Sequence, residues 1–122
     1  MAKSRVLVVD DEKEICELTR SFLTRRGFEV FTASTAAAAL NLVKGKQPRI
    51  VLLDMRLGSE SGIDLLRQIK EVDQNIKVVM VTALEDPESV KQATELGADD
   101  YLSKPFKADV LSELIRKQVP ES

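Results

Sequence analysis

Short runs rich in Val, Ile and Leu recur along this chain, and the segments between them have the spacing of amphipathic helices. In the first such segment, Ile15, Leu18 and Phe22 are three or four positions apart. Five strand-like runs alternating with five helical segments predict an α/β domain with a parallel sheet. The runs cover residues 5–9, 29–33, 50–53, 77–81 and, more weakly, 100–103. Three glycines follow helical segments and predict helix ends, at positions 27, 45 and 97.

The length of 122 residues is close to the commonest size of one domain, so we expect a single domain over residues 1–122. The net charge of −2 is too small to favour nucleic acid or an anionic membrane as a partner. No apolar run approaches the roughly 20 residues that span a bilayer. The lone Cys16 cannot form an internal disulfide, which fits a reducing cytoplasm. The chain has no histidine, so it cannot itself supply histidine base chemistry or histidine metal ligands.

Polar side chains follow four of the five predicted strands at the point where each strand ends. Asp10 and Asp11 follow the first strand and Asp54 the third, while Thr82 and Lys104 follow the fourth and fifth. In open α/β sheets, ligands bind at the carboxyl ends of the strands, near the point where strand order reverses. We expect a flavodoxin-like, doubly wound, five-stranded sheet of order 2-1-3-4-5. That order brings the three acids side by side.

The three acids predict a magnesium site beside a nucleophile. Carboxylates at close range need a cation, and hard oxygen ligands suit Mg²⁺. A carboxylate can also attack a phosphoryl donor and form an aspartyl-phosphate. Mg²⁺ and the ammonium of Lys104 would together create a positive field at Asp54, which favours a phosphoryl group there. The residues therefore indicate phosphoryl transfer that works by positioning and charge neutralisation.

Four motifs, "VLVVDDE", "IVLLDMRL", "VVMVTA" and "GADDYLSKPF", resemble the receiver domain of bacterial two-component response regulators. The resemblance extends from Arg5 to about Val119. It implies that Asp54 accepts a phosphoryl group from a sensor histidine kinase or a phosphotransfer protein. It also implies that Asp10 and Asp11 hold Mg²⁺ together with Asp54.

The resemblance implies further roles around the acceptor. The backbone carbonyl of Arg56 is a further metal ligand, and Thr82 and Lys104 contact the phosphoryl oxygens. Tyr101 changes rotamer together with Thr82, although a packing role fits this aromatic residue equally well. The surface around the fourth helix, fifth strand and fifth helix then responds and controls an output domain or target protein. A cis Lys104–Pro105 bond is implied as well.

Two positions border the path of a hydrolytic water in this family, and here they are Arg56 and Leu84. Arg56 can pair with the phosphoryl group, and Leu84 cannot orient a water. Both residues therefore predict a long-lived phosphorylated state.

The chain also departs from the usual pattern of the family. Gly58 stands where a proline is common, which predicts a more mobile loop after the acceptor. One branch of the family forms a symmetric dimer through the last strand and helices, with a glutamate and an arginine at set places of the fifth helix. Val110 and Leu114 stand at the matching positions here, so the sequence does not favour that dimer. The end of the chain, "RKQVPES", fits a receiver domain excised from a longer regulator, and a free-standing receiver is the alternative.

Two other classes of protein share parts of the pattern. A phosphatase of the haloacid-dehalogenase type needs an acid two positions after its nucleophile, where this chain has Arg56. A flavodoxin-like cofactor carrier needs phosphate-binding amides after the first strand, where "DDEKE" places acids. We therefore predict a phosphoacceptor switch rather than an enzyme.

Overall fold

Strands and helices alternate along the chain as the sequence predicts. The computed structural model describes residues 3–83 and 87–119. The strands of these residues are β1 (Arg5–Val9), β2 (Glu29–Ala33), β3 (Ile50–Asp54), β4 (Arg56–Leu57), β5 (Glu60–Ser61), β6 (Lys77–Thr82) and β7 (Asp100–Ser103). The helices are α1 (Lys13–Arg25), α2 (Ala36–Lys46), α3 (Gly62–Val72), α4 (Pro87–Glu95) and α5 (Ala108–Gln118). Within this part of the chain, no helix is long and apolar enough to cross a membrane.

The central sheet has the order β2-β1-β3-β6-β7, and each neighbouring pair is parallel. Counted among the five strands of this sheet, the order is 2-1-3-4-5, so the predicted flavodoxin-like topology is confirmed. Because β1 and β3 are neighbours with Val9 opposite Leu53, the residues that follow both strands lie at one edge of the sheet.

The core lies on both faces of the central strands, because their side chains alternate between two apolar layers. Leu7 and Leu53 belong to the layer covered by α2, α3 and α4. Val8 and Leu52 belong to the layer covered by α1 and α5. All four side chains are buried, so the strands that carry the site are held from both sides.

The helix end predicted at Gly45 is wrong, because α2 continues through Gly45 to Lys46. Gln47 instead adopts the left-handed conformation that ends the helix, with φ of 49°. Its N–H still donates to the carbonyl of Val43, as a residue closing a helix does. Glycine is tolerated inside a helix at a cost of about 1 kcal/mol relative to alanine, so a glycine alone does not end one.

A two-stranded antiparallel ribbon, β4 with β5, follows β3 directly. The sequence predicted a loop here, and strands of two residues are too short to show periodicity. Gly58 lies in the turn of the ribbon with φ of +63°, a conformation that proline cannot adopt. The greater mobility predicted for this segment stays a prediction.

Candidate functional site

The carboxyl ends of four strands bring the predicted polar residues to one edge of the sheet. Asp10 directly follows β1 and is buried, while Asp54 is the last residue of β3 and is half-buried. Thr82 ends β6, and Lys104 directly follows β7, where its N–H donates to the carbonyl of Thr82 at 2.8 Å. The predicted juxtaposition of strand ends is therefore present in the fold.

Lys104 joins two of the acids through its ammonium group. Its Nζ donates to Oδ2 of Asp54 at 2.7 Å and to Oδ2 of Asp10 at 2.9 Å. Such charge-assisted hydrogen bonds are about twice as strong as neutral ones. The predicted cis Lys104–Pro105 peptide bond is present as well.

The pKa of Lys104 reflects two opposing effects. Burial on its own would lower the pKa of this ammonium, but the hydrogen bonds and charges of Asp54 and Asp10 outweigh burial and raise it above its ordinary value. Lys104 is therefore a cation at neutral pH. Its positive charge offsets the two carboxylates that it contacts.

Asp10 is held in place by contacts on both its backbone and its side chain. Its Oδ1 accepts the N–H of Glu12 at 2.9 Å, and its carbonyl accepts the Sγ–H of Cys16 at 3.3 Å. Burial, followed by the charge of Asp10, raises the pKa of the Cys16 thiol. Cys16 thus stays protonated at neutral pH and acts as a small buried donor beneath the acid.

The acids after β1 form a cluster that suits a hard cation. Carboxylate oxygens of Asp10, Asp11 and Glu12 lie within 4.8 Å of one another. Oxygen donors of this kind are what Mg²⁺ prefers. Glu12 was not predicted as a ligand, because an acid at this position is also common at the start of a helix for its interaction with the helix dipole.

Asp54 and the segment after it are also oriented by hydrogen bonds. The N–H of Arg56 donates to Oδ1 of Asp54 at 3.1 Å, and the N–H of Gly58 donates to Oδ2 of Asp11 at 3.0 Å. The side chain of Arg56 is exposed. The roles predicted for its carbonyl and its side chain stay predictions, and Leu84 lies outside the described residues.

A pocket of about 410 Å³ opens beside Asp54. Among the residues that line it are Asp11, Asp54, Arg56, Thr82 and Lys104. The structure thus brings predicted residues from four separate regions of the chain to one cavity that is large enough for a phosphoryl group.

Tyr101 connects β7 to α4. Its hydroxyl donates to the carbonyl of Val90 at 3.0 Å and is hydrogen-bonded to the hydroxyl of Thr94. The ring is half-buried against the apolar layer under α4. This contact fits both readings of Tyr101, packing and switching, so the switching role stays a prediction.

An apolar groove of about 490 Å³ beside the site was not predicted. It lies between α1 and the segment after β7, and Lys104 lines it too. The buried face of α1 carries Cys16 and Leu23, whereas Leu18 is 68% exposed. α1 therefore carries a second apolar stripe beside its buried face. The sequence alone does not distinguish the two, because both repeat with the helical period. That stripe and the facing segment contribute Ile15, Leu18, Phe22, Pro105, Phe106 and Leu111.

Comparison with known proteins agrees with this geometry. The family described as the response regulator receiver domain matches residues 6–116. The chain is 32% identical over 120 residues to sporulation initiation phosphotransferase F of Bacillus subtilis (strain 168), which covers 98% of this chain and 97% of that protein. It is 40% identical over 114 residues to transcriptional regulatory protein KdpE of Mycobacterium tuberculosis, which covers 93% of this chain and 50% of that protein. The solved receiver domain protein from Methanospirillum hungatei JF-1 superposes with a TM-score of 0.90 at 30% identity, over 96% of this chain and 94% of that one.

The chain belongs to the receiver domains of two-component response regulators. It is a phosphorylation-dependent signalling switch, and neither a phosphatase of the haloacid-dehalogenase type nor a flavodoxin-like carrier is favoured. The chain spans about half the length of relatives such as KdpE and nearly the whole length of sporulation initiation phosphotransferase F.

Gly62 lets α3 begin in close contact with the backbone of Asp54, and this contact leads to our first prediction. A Cβ at Gly62 would lie 2.0 Å from the carbonyl oxygen of Asp54 and 2.9 Å from the carbonyl carbon of Met55. We expect Gly62→Ala to lower the free energy of unfolding by about 3 kcal/mol, because the backbone of Asp54 and Met55 must move. Urea unfolding measures this change.

Gly45→Ala is the matched control, because a Cβ at Gly45 meets no atom within 4 Å. In the interior of α2 this change should stabilise by about 0.5–1 kcal/mol. Equal effects of the two substitutions would contradict the close approach at Gly62.

Proposed function

We propose that Asp54 accepts a phosphoryl group from a phosphohistidine on a sensor kinase or phosphotransfer protein. One carboxylate oxygen attacks phosphorus, the bond from phosphorus to the histidine nitrogen breaks, and its electron pair stays on the imidazole. The observation that carries this proposal is the ammonium of Lys104, which contacts Asp54 and Asp10 together. A cation fixed at this place neutralises charge on the transferring group without reorganisation.

Mg²⁺ is the cofactor that the acidic cluster fits. Asp10 and Asp11 of this cluster would hold the ion together with the carbonyl of Arg56 and with Asp54, which lies outside the cluster and shares Lys104 with Asp10. When bound, Mg²⁺ neutralises the charge of the phosphoryl oxygens. The chain's own contribution is to position the acids, and the hydrogen bonds from Glu12 to Asp10 and from Gly58 to Asp11 do so.

Phosphorylation adds negative charge beside Thr82 and Lys104, and the output follows from how these residues respond. Thr82 would move to contact the phosphoryl group, and Tyr101 would change rotamer with it. The contacts of Tyr101 with α4 support this route to the surface of α4, β7 and α5. That surface would control an output domain or target protein in the cytoplasm. The chain would act as a phosphoacceptor and catalyse no reaction beyond phosphotransfer and its own dephosphorylation.

The acceptor is tested by intact mass spectrometry after incubation with acetyl phosphate and Mg²⁺. We expect the mass of the wild type to rise by one phosphoryl group and that of Asp54→Asn to stay unchanged, because the nucleophile is gone. Asp64→Asn is the control, since Asp64 is an exposed acid on α3, and it should be phosphorylated normally. A phosphoryl group on the Asp54→Asn protein would place the acceptor elsewhere.

The apolar groove is the surface that we assign to the phosphodonor protein. A histidine that reaches Asp54 must come from a surface directly beside the pocket, and the groove shares Lys104 and Ala83 with that pocket. Leu18 lies in the groove with most of its side chain exposed. An apolar helix face of the donor would cover it and gain the free energy of removing that surface from water.

Leu18→Glu tests this surface. We expect the rate of transfer from a phosphorylated histidine phosphotransfer protein to fall about tenfold or more, because a charge would be buried in the interface. Phosphorylation by acetyl phosphate should not change, since that small donor needs no groove. Val72→Glu is the control, at an exposed apolar residue of α3. Two results would contradict the assignment of the groove. One is slower phosphorylation of Leu18→Glu by acetyl phosphate as well as by the phosphotransfer protein, and the other is an equal decrease of the transfer rate in Leu18→Glu and Val72→Glu.

Arg56 and Leu84 are proposed to prolong the phosphorylated state. The exposed Arg56 lines the pocket of Asp54, which supports a role for its side chain in obstructing a hydrolytic water. Replacing both residues with Asn should shorten the lifetime of the phosphate by on the order of tenfold, because a barrier to water is removed. Arg67→Asn, at an exposed arginine of α3, is the control. The measurement is the decay of phosphate on Asp54 with Mg²⁺ and no phosphatase, and equal or slower decay in the double variant would defeat the proposal.

A further inference from the structure

The ribbon of residues 56–61 is attached to the rest of the protein at two points near its turn. The N–H of Gly58 donates to Oδ2 of Asp11 at 3.0 Å, and Oε1 of Glu60 accepts the N–H of Ala36 at 3.1 Å. The first contact reaches a predicted metal ligand, and the second reaches the start of α2. The turn of the ribbon therefore lies between the metal-binding acids and a helix N-terminus.

The contact of Glu60 with α2 is favourable for two reasons. The first N–H groups of a helix lack partners within the helix, and Thr35 satisfies only the one at Ala38 with its side chain. Glu60 satisfies the N–H of Ala36, and its negative charge lies at the positive end of the helix dipole. This interaction links two elements that are neighbours in space and 24 positions apart in sequence.

Leu57 anchors the first strand of the ribbon in the apolar core, whereas residues 58–61 are exposed. The segment begins beside β3, and at its other end the side chain of Ser61 accepts the N–H of Asp64 at the start of α3. Two strands of two residues do not form a stable hairpin on their own. Gly58 adds backbone freedom at the turn. Beyond the anchor at Leu57, the exposed residues of the turn are held by the hydrogen bonds of Gly58 and Glu60.

We propose that Glu60 is a positioning residue for the metal site. By joining the ribbon to α2, it keeps the N–H of Gly58 on Asp11 and holds Arg56 beside the acceptor, so it sets the affinity for Mg²⁺. This inference rests on the proposed magnesium site. Without Glu60, binding must also pay for ordering the ribbon, which lowers the affinity.

The test compares three variants of the unphosphorylated chain by ¹⁵N NMR. Glu60→Ala removes the contact, Glu60→Gln keeps an acceptor oxygen, and Thr35→Ala removes the other cap of the same helix without touching the ribbon. Titration with MgCl₂ at constant ionic strength gives the Kd for Mg²⁺. Hydrogen exchange of the Gly58 amide in metal-free protein reports whether its hydrogen bond to Asp11 is maintained.

We expect Glu60→Ala to weaken Mg²⁺ binding by about threefold. Partners of metal ligands typically change affinity 10- to 100-fold, and Glu60 acts one step further away through exposed groups. The Gly58 amide should exchange faster in this variant. The Kd of Glu60→Gln should stay within about twofold of the wild-type value, because Gln keeps an acceptor oxygen for the N–H of Ala36. Thr35→Ala should lower the melting temperature and leave both the Kd and Gly58 exchange unchanged.

Three results would overturn the inference. One is an equal or tighter Kd in Glu60→Ala with Mg²⁺-dependent shifts intact at Asp10 and Asp11, which refutes the role of Glu60 alone. Another is an equal loss of Mg²⁺ affinity in Thr35→Ala, which would attribute the weaker binding in Glu60→Ala to the stability of α2. The third is the absence of Mg²⁺-dependent shifts in the wild type, which refutes the proposed metal site and the inference with it.

Discussion

The ammonium of Lys104 between Asp10 and Asp54 is the interaction on which the site depends. Asp10 is 3% exposed, and a buried carboxylate without a cation or hydrogen bonds is costly. Lys104 offsets that charge and also binds Asp54, so it links residues that are 94 and 50 positions away in the sequence at one edge of the sheet. The parallel sheet makes this possible because strands that begin far apart in the chain end side by side.

The same interaction connects the acceptor to the rest of the fold. The N–H of Lys104 donates to the carbonyl of Thr82, so the residue that binds Asp54 is also fixed to the end of β6. Three positions earlier on β7, the hydroxyl of Tyr101 is bonded to the carbonyl of Val90 on α4. In the mechanism that we propose, a phosphoryl group on Asp54 would compete for Lys104 and bias this set of contacts between two arrangements.

The sheet, its order and the central site residues could be predicted because each has a long-range pattern in the sequence. Apolar runs mark buried strands, and Asp10, Asp54 and Lys104 stand directly after them. The ribbon after β3 could not be predicted, since its strands are too short for periodicity. The contact of Glu60 with α2 left no signal because it is one hydrogen bond between distant residues. The exposure of Leu18 was hidden because its stripe repeats with the same period as the core face of α1.

In the proposed mechanism, charge added at Asp54 changes the surface of α4, β7 and α5. The most direct measurement is the ¹⁵N NMR spectrum of the chain before and after phosphorylation by acetyl phosphate with Mg²⁺. Our account predicts shifts at the amides around Asp54 and also at Tyr101 and Val90, where β7 meets α4. Shifts that stay confined to the residues around Asp54, with Tyr101 and Val90 unmoved in fully phosphorylated protein, would contradict it.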